Sequence, residues 1–340
     1  MYLAVTIDTE EDNWGEYDRA AYTVENLRRI PQLQQLFNAR GVRPTYLISY
    51  PVAASSVGVD VLASLARQGL CEIGTHPHPW NTPPIEEERT PYNSFIHHLP
   101  PDLQYRKLKT LHDAIVANFG VVPTTYRSGR WGFSEDVARH LIRLRYTVDT
   151  SISPGFDWRQ YEGPDYSEWP CEPFVYRMHA NGGASLLEVP ATIDFVQRPR
   201  DLASTMYRAI RSSIPGGNRL LGLLGRVGLL NLVSISPEID TLPRMIRLAK
   251  AMQKRGAQVV NMFFHSPTLL EGCSPYVATA GQLKAFIERV DGFLAFAQTA
   301  GMQPVTMSEL PTAGIGASTV RNLPLAGPHL GGSKTVSVRA

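Results

Sequence analysis

The stretch "YLAVTIDTEED" (residues 2–12) begins with six apolar or β-branched residues and ends with four acids in five positions. A segment that is apolar on both faces reads as a strand covered on both sides, the condition of a strand inside a parallel sheet. Next, "ENLRRIPQLQQLFNARG" (25–41) has apolar residues at helical spacing and stops at Gly41, and "RPTYLIS" (43–49) is a second buried strand. The chain therefore opens β-α-β. The alternation continues through a helix near 57–68, strand "LCEIGTH" (70–76), helix 104–118, strand "TTYRSG" (124–129), helix 134–143 and strand "YTVDTS" (146–151). Later come "SLLEVPAT" (185–192), a helix over 238–255, strand "AQVVNMFFH" (257–265), a helix over 280–299 and a short strand near "QPVTM" (303–307). Repeated β-α units predict a parallel sheet with helices outside it.

Ionisable residues fall where these strands end: Asp8 and Glu10, His76 and His78, Arg127 and Arg130, Asp149, Glu188, His265. Both an α/β barrel and a doubly wound sheet place ligands at strand C-termini. Their spread over six strands, rather than around one switch point, favours the barrel. Two segments break the rhythm. The Pro- and aromatic-rich region 154–175 is expected to be a lid loop over the site, and the Gly-, Ser- and Pro-rich segment 313–340 a flexible tail. One folded domain then covers 1–312.

With 340 residues, 43% hydrophobic and 19% charged, the chain can build one large core. Its 33 Lys+Arg against 31 Asp+Glu, with no basic run, argue against nucleic acid as a partner. The three cysteines, Cys71, Cys171 and Cys273, are odd in number and far apart, which fits reduced thiols in a cytoplasmic protein. The acidic first segment does not read as a secretory signal. The apolar stretch "RLLGLLGRVGLLNLV" (219–233) is too short to span a bilayer and is interrupted by glycines and Arg226. A buried or surface-docked helix is expected there, with a membrane-interface helix as the alternative.

In a strand, residues i and i+2 point the same way, so Asp8 and Glu10 would project together from the end of strand one. One would suit a metal and the other a base, since a nearby cation keeps both ionised; the alternative is exposed acids capping the next helix. His76 and His78 share this spacing, and Pro77 and Pro79 would hold their segment extended. One carboxylate with two imidazoles leaves positions open for water and substrate, the pattern of a hydrolytic metal site; the alternative is one site histidine and one structural one. His265, ending an apolar strand, would either give a proton to a leaving group or sit as a satisfied core histidine. "YRSGRWG" (126–132) offers Arg127 or Arg130 to orient a carboxylate, and its glycines would let backbone N–H groups near Arg130 or Trp131 approach an oxyanion.

Taken in order with the strand-one acids, "THPHPWNTPP" (75–84), "RSGRWGFS" (127–134), "DTSISPGFDW" (149–158) and "FFHSPTLLEGCSPY" (263–276) resemble segments of the polysaccharide deacetylase superfamily. These are carbohydrate esterases with a nodulation-type deacetylase domain, and the segments look most like the WbmS-like branch. The resemblance covers about residues 1–312. It implies a distorted (β/α) barrel of about seven strands in a single domain. The implied activity is metal-dependent hydrolysis of non-peptide C–N bonds, as N-deacetylation of an amino sugar or polysaccharide precursor in cell-surface carbohydrate metabolism.

Carried over residue by residue, the resemblance makes Asp8 the catalytic base, Glu10 and His76 metal ligands, Arg127 the group that orients Asp8, and His265 the general acid. The family's second histidine lies four residues after the first, where this chain has Trp80, so His78 is taken as the third ligand; Thr9 separates two acids that are commonly adjacent. Asp149 and Trp158 fall in the region that lines the groove and tunes the acid. Arg130, Trp131, Trp158 and Trp80 are expected to contact substrate. The implied cofactor is a divalent metal ion, zinc foremost, and the implied partner a carbohydrate carrying an N-acetyl group. Two alternatives stay open: a cyclic amide or imide hydrolase on the same fold, and a non-catalytic carbohydrate-binding relative.

Overall fold

Strand β1 (Tyr2–Thr9) is buried at every position from Leu3 to Thr9, as its two-sided apolar run requires. The computed structural model describes residues 1–12, 22–178, 185–213, 217–226, 228–316 and 320–323. After β1 come α1 (Ile30–Ala39), β2 (Thr45–Ile48), α2 (Tyr50–Ala53), α3 (Ser56–Arg67), β3 (Glu72–Thr75) and α4 (Pro101–Phe119). The middle of the chain forms β4 (Thr125–Tyr126), α5 (Glu135–Arg143), β5 (Val148–Asp149), β6 (Phe174–Met178), β7 (Ser185–Glu188) and β8 (Ile193–Phe195). Then follow α6 (Arg200–Ser213), α7 (Gly217–Arg226), β9 (Leu232–Ser234), α8 (Leu242–Lys254) and β10 (Val259–His265). The last elements are α9 (Ala280–Thr299), β11 (Gln303–Pro304) and β12 (Val320–Leu323).

Seven strands run mutually parallel in the order β10-β1-β2-β3-β4-β5-β7 and curl into a distorted (β/α) barrel. Past β7 the sheet continues through antiparallel β6 to β12; β11 pairs with β1, and β8 with β9 in a separate ribbon. The side between β7 and β10 is bridged by single bonds, Thr192 N–H to the Asn261 carbonyl (3.3 Å) and Phe263 N–H to the Ile235 carbonyl (3.1 Å). Outside the barrel, Phe37, Leu62, Met245 and Phe286 bring α1, α3, α8 and α9 onto one buried cluster with Ile7 and Phe264. Each such side chain contributes about 1.5–3 kcal/mol by leaving water. Helix starts are set locally: Ser55 Oγ accepts from Gly58 N–H (2.9 Å) at α3, and Thr279 with Gln282 closes a capping box at α9.

Three expectations are revised. The 219–233 stretch is not one helix: α7 ends at Arg226, the chain turns at Gly228 (φ 75°), Leu229 N–H closes on the Leu224 carbonyl (2.9 Å), and β9 begins at Leu232. Glycine supplies the left-handed conformation that stops the helix. The segment from 313 stays with the fold to residue 323, because Ile315 is buried beside Leu187 and Val320–Leu323 pair with the edge strand β6, whose backbone groups would otherwise be unpaired; 317–319 and 324–340 lie outside the described residues. The 154–175 loop has structure of its own: Asp157 bridges to Asp165, and Arg159 pairs with both carboxylates at 2.8 and 3.2 Å. Among the described residues no helix is long and apolar enough to cross a membrane.

Candidate active site

Parallel pairing delivers the strand ends to one level. Asp8 stands opposite His265 on β10. Ile48 faces Thr75, which brings His76 next, and Thr75 faces Tyr126, which brings Arg127 next. Tyr126 faces Asp149, and Asp149 faces Glu188. The chemistry-bearing residues thus form an arc across the C-terminal mouth of the barrel, where barrel enzymes work.

Glu10, His76 and His78 each offer one ligand atom, all within 4.8 Å of one another, the one such cluster among the described residues. Glu10 Oε2 lies 2.6 Å from His78 Nε2 and 3.7 Å from His76 Nε2. His76 Nδ1 is 3.0 Å from the Arg127 carbonyl, which can only accept, so in the neutral ring Nε2 keeps its lone pair for a ligand. Buried Glu10 Oε1 and His78 Nδ1 find no hydrogen-bond partner among the described residues. Burial would raise the Glu10 carboxyl, but the adjacent imidazoles of His76 and His78 hold it down at about 2. Burial likewise opposes charge on His76, yet Asp8 and Glu10 push it above the ordinary imidazole value. The field in this pocket favours an added positive charge, and the donor set of two imidazoles and a carboxylate fits a divalent transition metal.

Asp8 is occupied differently. Its Oδ1 accepts from Arg127 Nη1 at 2.7 Å, and the fully buried guanidinium also donates to Thr6 Oγ1 (2.7 Å), Thr150 Oγ1 (3.1 Å) and the Thr150 carbonyl (3.0 Å). Although burial would raise the Asp8 carboxyl, Arg127, His76 and His265 bring it below its usual value. His265 Nε2 lies 3.7 Å from Asp8 Oδ2, while its Nδ1 sits 2.8 Å from Glu238 Oε2 and its own backbone N–H donates to Glu238 Oε1 at 3.0 Å. Burial would depress this imidazole; Glu238 and then Asp8 raise it to about 9, so it is protonated at neutral pH. Glu238 was not singled out from the sequence. It lies in the "SPEID" turn, with no spacing to tie it to a histidine 27 residues on.

Other expected site residues are engaged in contacts within the fold. Asp149 is fully buried; its Oδ1 accepts from Ser151 Oγ (2.6 Å), which accepts the Ser128 N–H (2.8 Å), so it braces the turn after β4. Its Oδ2 and Glu188 Oε2 have no donor among the described residues. Burial pushes both carboxyls up, Glu188 further through the charge of Asp149. Trp80 is 3% exposed and packs on the His78 ring at 4.2 Å, where it supports that imidazole. Trp131 lies beneath the Arg127 guanidinium (5.3 Å), and its backbone N–H donates to the Ser128 carbonyl (3.2 Å). Arg130 sits over Phe95 at 4.7 Å. Arg130 and Trp131 hold φ of 55° and 62°, a strained turn of the kind that gathers at functional sites. Half-buried Trp158 stacks on Phe156 (5.1 Å) and donates to Ser153 Oγ (2.8 Å); Tyr166 of the same loop donates to the Trp131 carbonyl (2.7 Å), seating the loop on that turn.

No family profile and no curated protein matches the chain by sequence. Solved structures match it by fold. A candidate polysaccharide deacetylase from Mycobacterium smegmatis superimposes with a TM-score of 0.52 over 96% of this chain and 95% of its own, at 17% identity. A candidate glycoside hydrolase or deacetylase from Parabacteroides distasonis gives 0.59 over 91% of this chain and 69% of its own, at 13% identity. A 4-α-glucanotransferase from Thermococcus litoralis gives 0.55 over 96% of this chain and 42% of its own, at 12% identity. One barrel thus carries more than one chemistry, and activity has to be argued from the site. At these identities the likeness speaks for the fold, and there it agrees with the strand order: this chain shares the distorted (β/α) barrel of these structures.

Proposed function

We propose that the protein is a metal-dependent hydrolase of non-peptide C–N bonds that removes the N-acetyl group of an amino sugar. The observation that carries this reading is the convergence of the Glu10, His76 and His78 cluster with an Arg127-held Asp8 and a Glu238-held His265 at one barrel mouth. Glu10, His76 and His78 would hold a divalent ion, zinc foremost, which when bound polarises an amide carbonyl and acidifies water. Asp8, kept ionised by Arg127, accepts the proton of the attacking water. His265, kept protonated by Glu238, gives a proton to the departing nitrogen. Water adds to the carbonyl carbon, the C–N bond breaks, and acetate and a free amine leave. A two-carboxylate glycosidase reading on Asp149 and Glu188 finds no support, since both are sealed from solvent.

The segments that resemble the WbmS-like branch, together with the buried, unbridged Cys71 and Cys171, support a cytoplasmic precursor of surface carbohydrate as the substrate. The test is acetate release from N-acetylglucosamine oligomers by zinc-loaded and chelated protein. His76→Ala should lose bound metal and turnover together. Undiminished turnover without metal would sink the reading. Opening of a cyclic imide with no acetate released would favour the cyclic-amide alternative, and purified protein that takes up no metal the non-catalytic one.

A further inference from the structure

Helices α6 and α7 form a hairpin whose inner faces close on a small core of Ala203, Tyr207, Leu221 and Leu224 with Phe195 and Leu230. Its outer faces are not polar. Leu202 (55% exposed), Met206 (49%), Leu220 (37%), Leu223 (58%) and Leu229 (68%) stand in solvent. Five of the twelve large hydrophobics exposed among the described residues therefore fall in less than a tenth of the chain. Single exposed leucines are ordinary; a cluster on one motif marks an interaction surface.

The same segment is basic. From Arg198 to Arg226 it contains six arginines and one acid, Asp201, a net +5 in a chain whose total is +2. Arg200 and Arg208 serve the fold by pairing with Asp194 and Glu168, both in contact at 2.7 Å or less. Arg198 and Arg219 are exposed, the first four positions before Leu202 and the second next to Leu220 in the chain. Leucines flanked by arginines match the boundary between headgroups and acyl chains of an anionic bilayer, where the apolar side chains enter and the guanidinium groups meet phosphate. A second copy fits this face poorly, since two hairpins of like charge repel.

We propose that the α6–α7 hairpin docks the protein peripherally on an anionic lipid surface. The proposal stands on this surface alone and is independent of the hydrolase reading. With Pro154, Gly155 and Trp169, α6 lines a cavity of about 210 Å³, so docking brings the 154–175 loop to the bilayer.

The test is sedimentation of the full chain with vesicles of phosphatidylcholine, alone or mixed with phosphatidylglycerol. Binding should be about tenfold stronger to the anionic vesicles and weaken as salt rises. The double variants Leu220→Glu/Leu223→Glu and Arg198→Ala/Arg219→Ala should each lower it by about tenfold at unchanged melting temperature. If the glutamate pair fails to fold, the alanine pair still decides the matter. Absence of binding, equal binding to neutral vesicles, or full binding by a folded variant overturns the proposal. So does a dimer, or retention on nucleic acid, that these variants abolish while the parent protein ignores vesicles.

Discussion

Arg127 is the largest fully buried side chain among the described residues, and it is charged. Removing a guanidinium from water costs several kcal/mol unless its N–H groups are met, and Asp8, Thr6 and Thr150 meet them. Asp8 is thereby held ionised and aimed, as the proposed base requires. His265 is held in the opposite state. Its value rises from 6.5 to about 9 on folding, so the stability it contributes is complete below 6.5 and is lost as pH rises through 9. The loss should be on the order of 3 kcal/mol. Urea unfolding at about pH 6 and about pH 10 should show this limb in the parent protein and not in His265→Gln; equal losses in the two would refute the Glu238–His265 assignment.

At the scale of elements, the loops after β3 and β4 carry the site, and each is fixed by an element far along the chain. Lys107, fully buried on α4, donates to the carbonyls of Pro79 (2.9 Å) and Thr82 (2.8 Å) and pairs with Glu87 (2.8 Å), pinning the loop that carries His78. Gly129, after β4, is the floor beneath that histidine: a Cβ there would lie 2.3 Å from His78 Nδ1 and 2.7 Å from the Pro77 carbonyl. Gly129→Ala must therefore push His78 away from Glu10. Metal affinity should fall by about 10–100-fold in a chelator competition, since the support of a ligand matters nearly as much as the ligand. Unchanged affinity would show that His78 is not a ligand.

For the whole molecule, the mouth of the barrel gathers Asp8 and Glu10 into one buried space, with the imidazoles of His76 and His265 drawn toward positive charge to balance them. A cation bound only to the folded state stabilises it by mass action, about 2.7 kcal/mol at a hundredfold excess over Kd. Zinc should raise the melting temperature of the parent protein by roughly 4 °C in calorimetry and leave His76→Ala unmoved. An equal rise in that variant would locate the stabilising ion elsewhere. The long elements β1, α4, α9 and β10 were legible because each carries its own pattern over seven residues or more. The strands β8 and β9, three residues each, were not, nor was β12, whose partner β6 lies far back in the chain.

By itself the sequence determined the β-α alternation, the placing of ionisable residues at strand ends, and the two i, i+2 pairs, since these follow from local periodicity alone. Tertiary structure decided how those residues divide the work. Arg127 comes from 119 residues away to claim Asp8, which leaves Glu10 to face the imidazoles; Glu238 fixes His265 from another loop; and Trp80 turns in behind His78. The physical reason is register: which side chains touch depends on how parallel strands distant in sequence align, and no local pattern encodes that alignment.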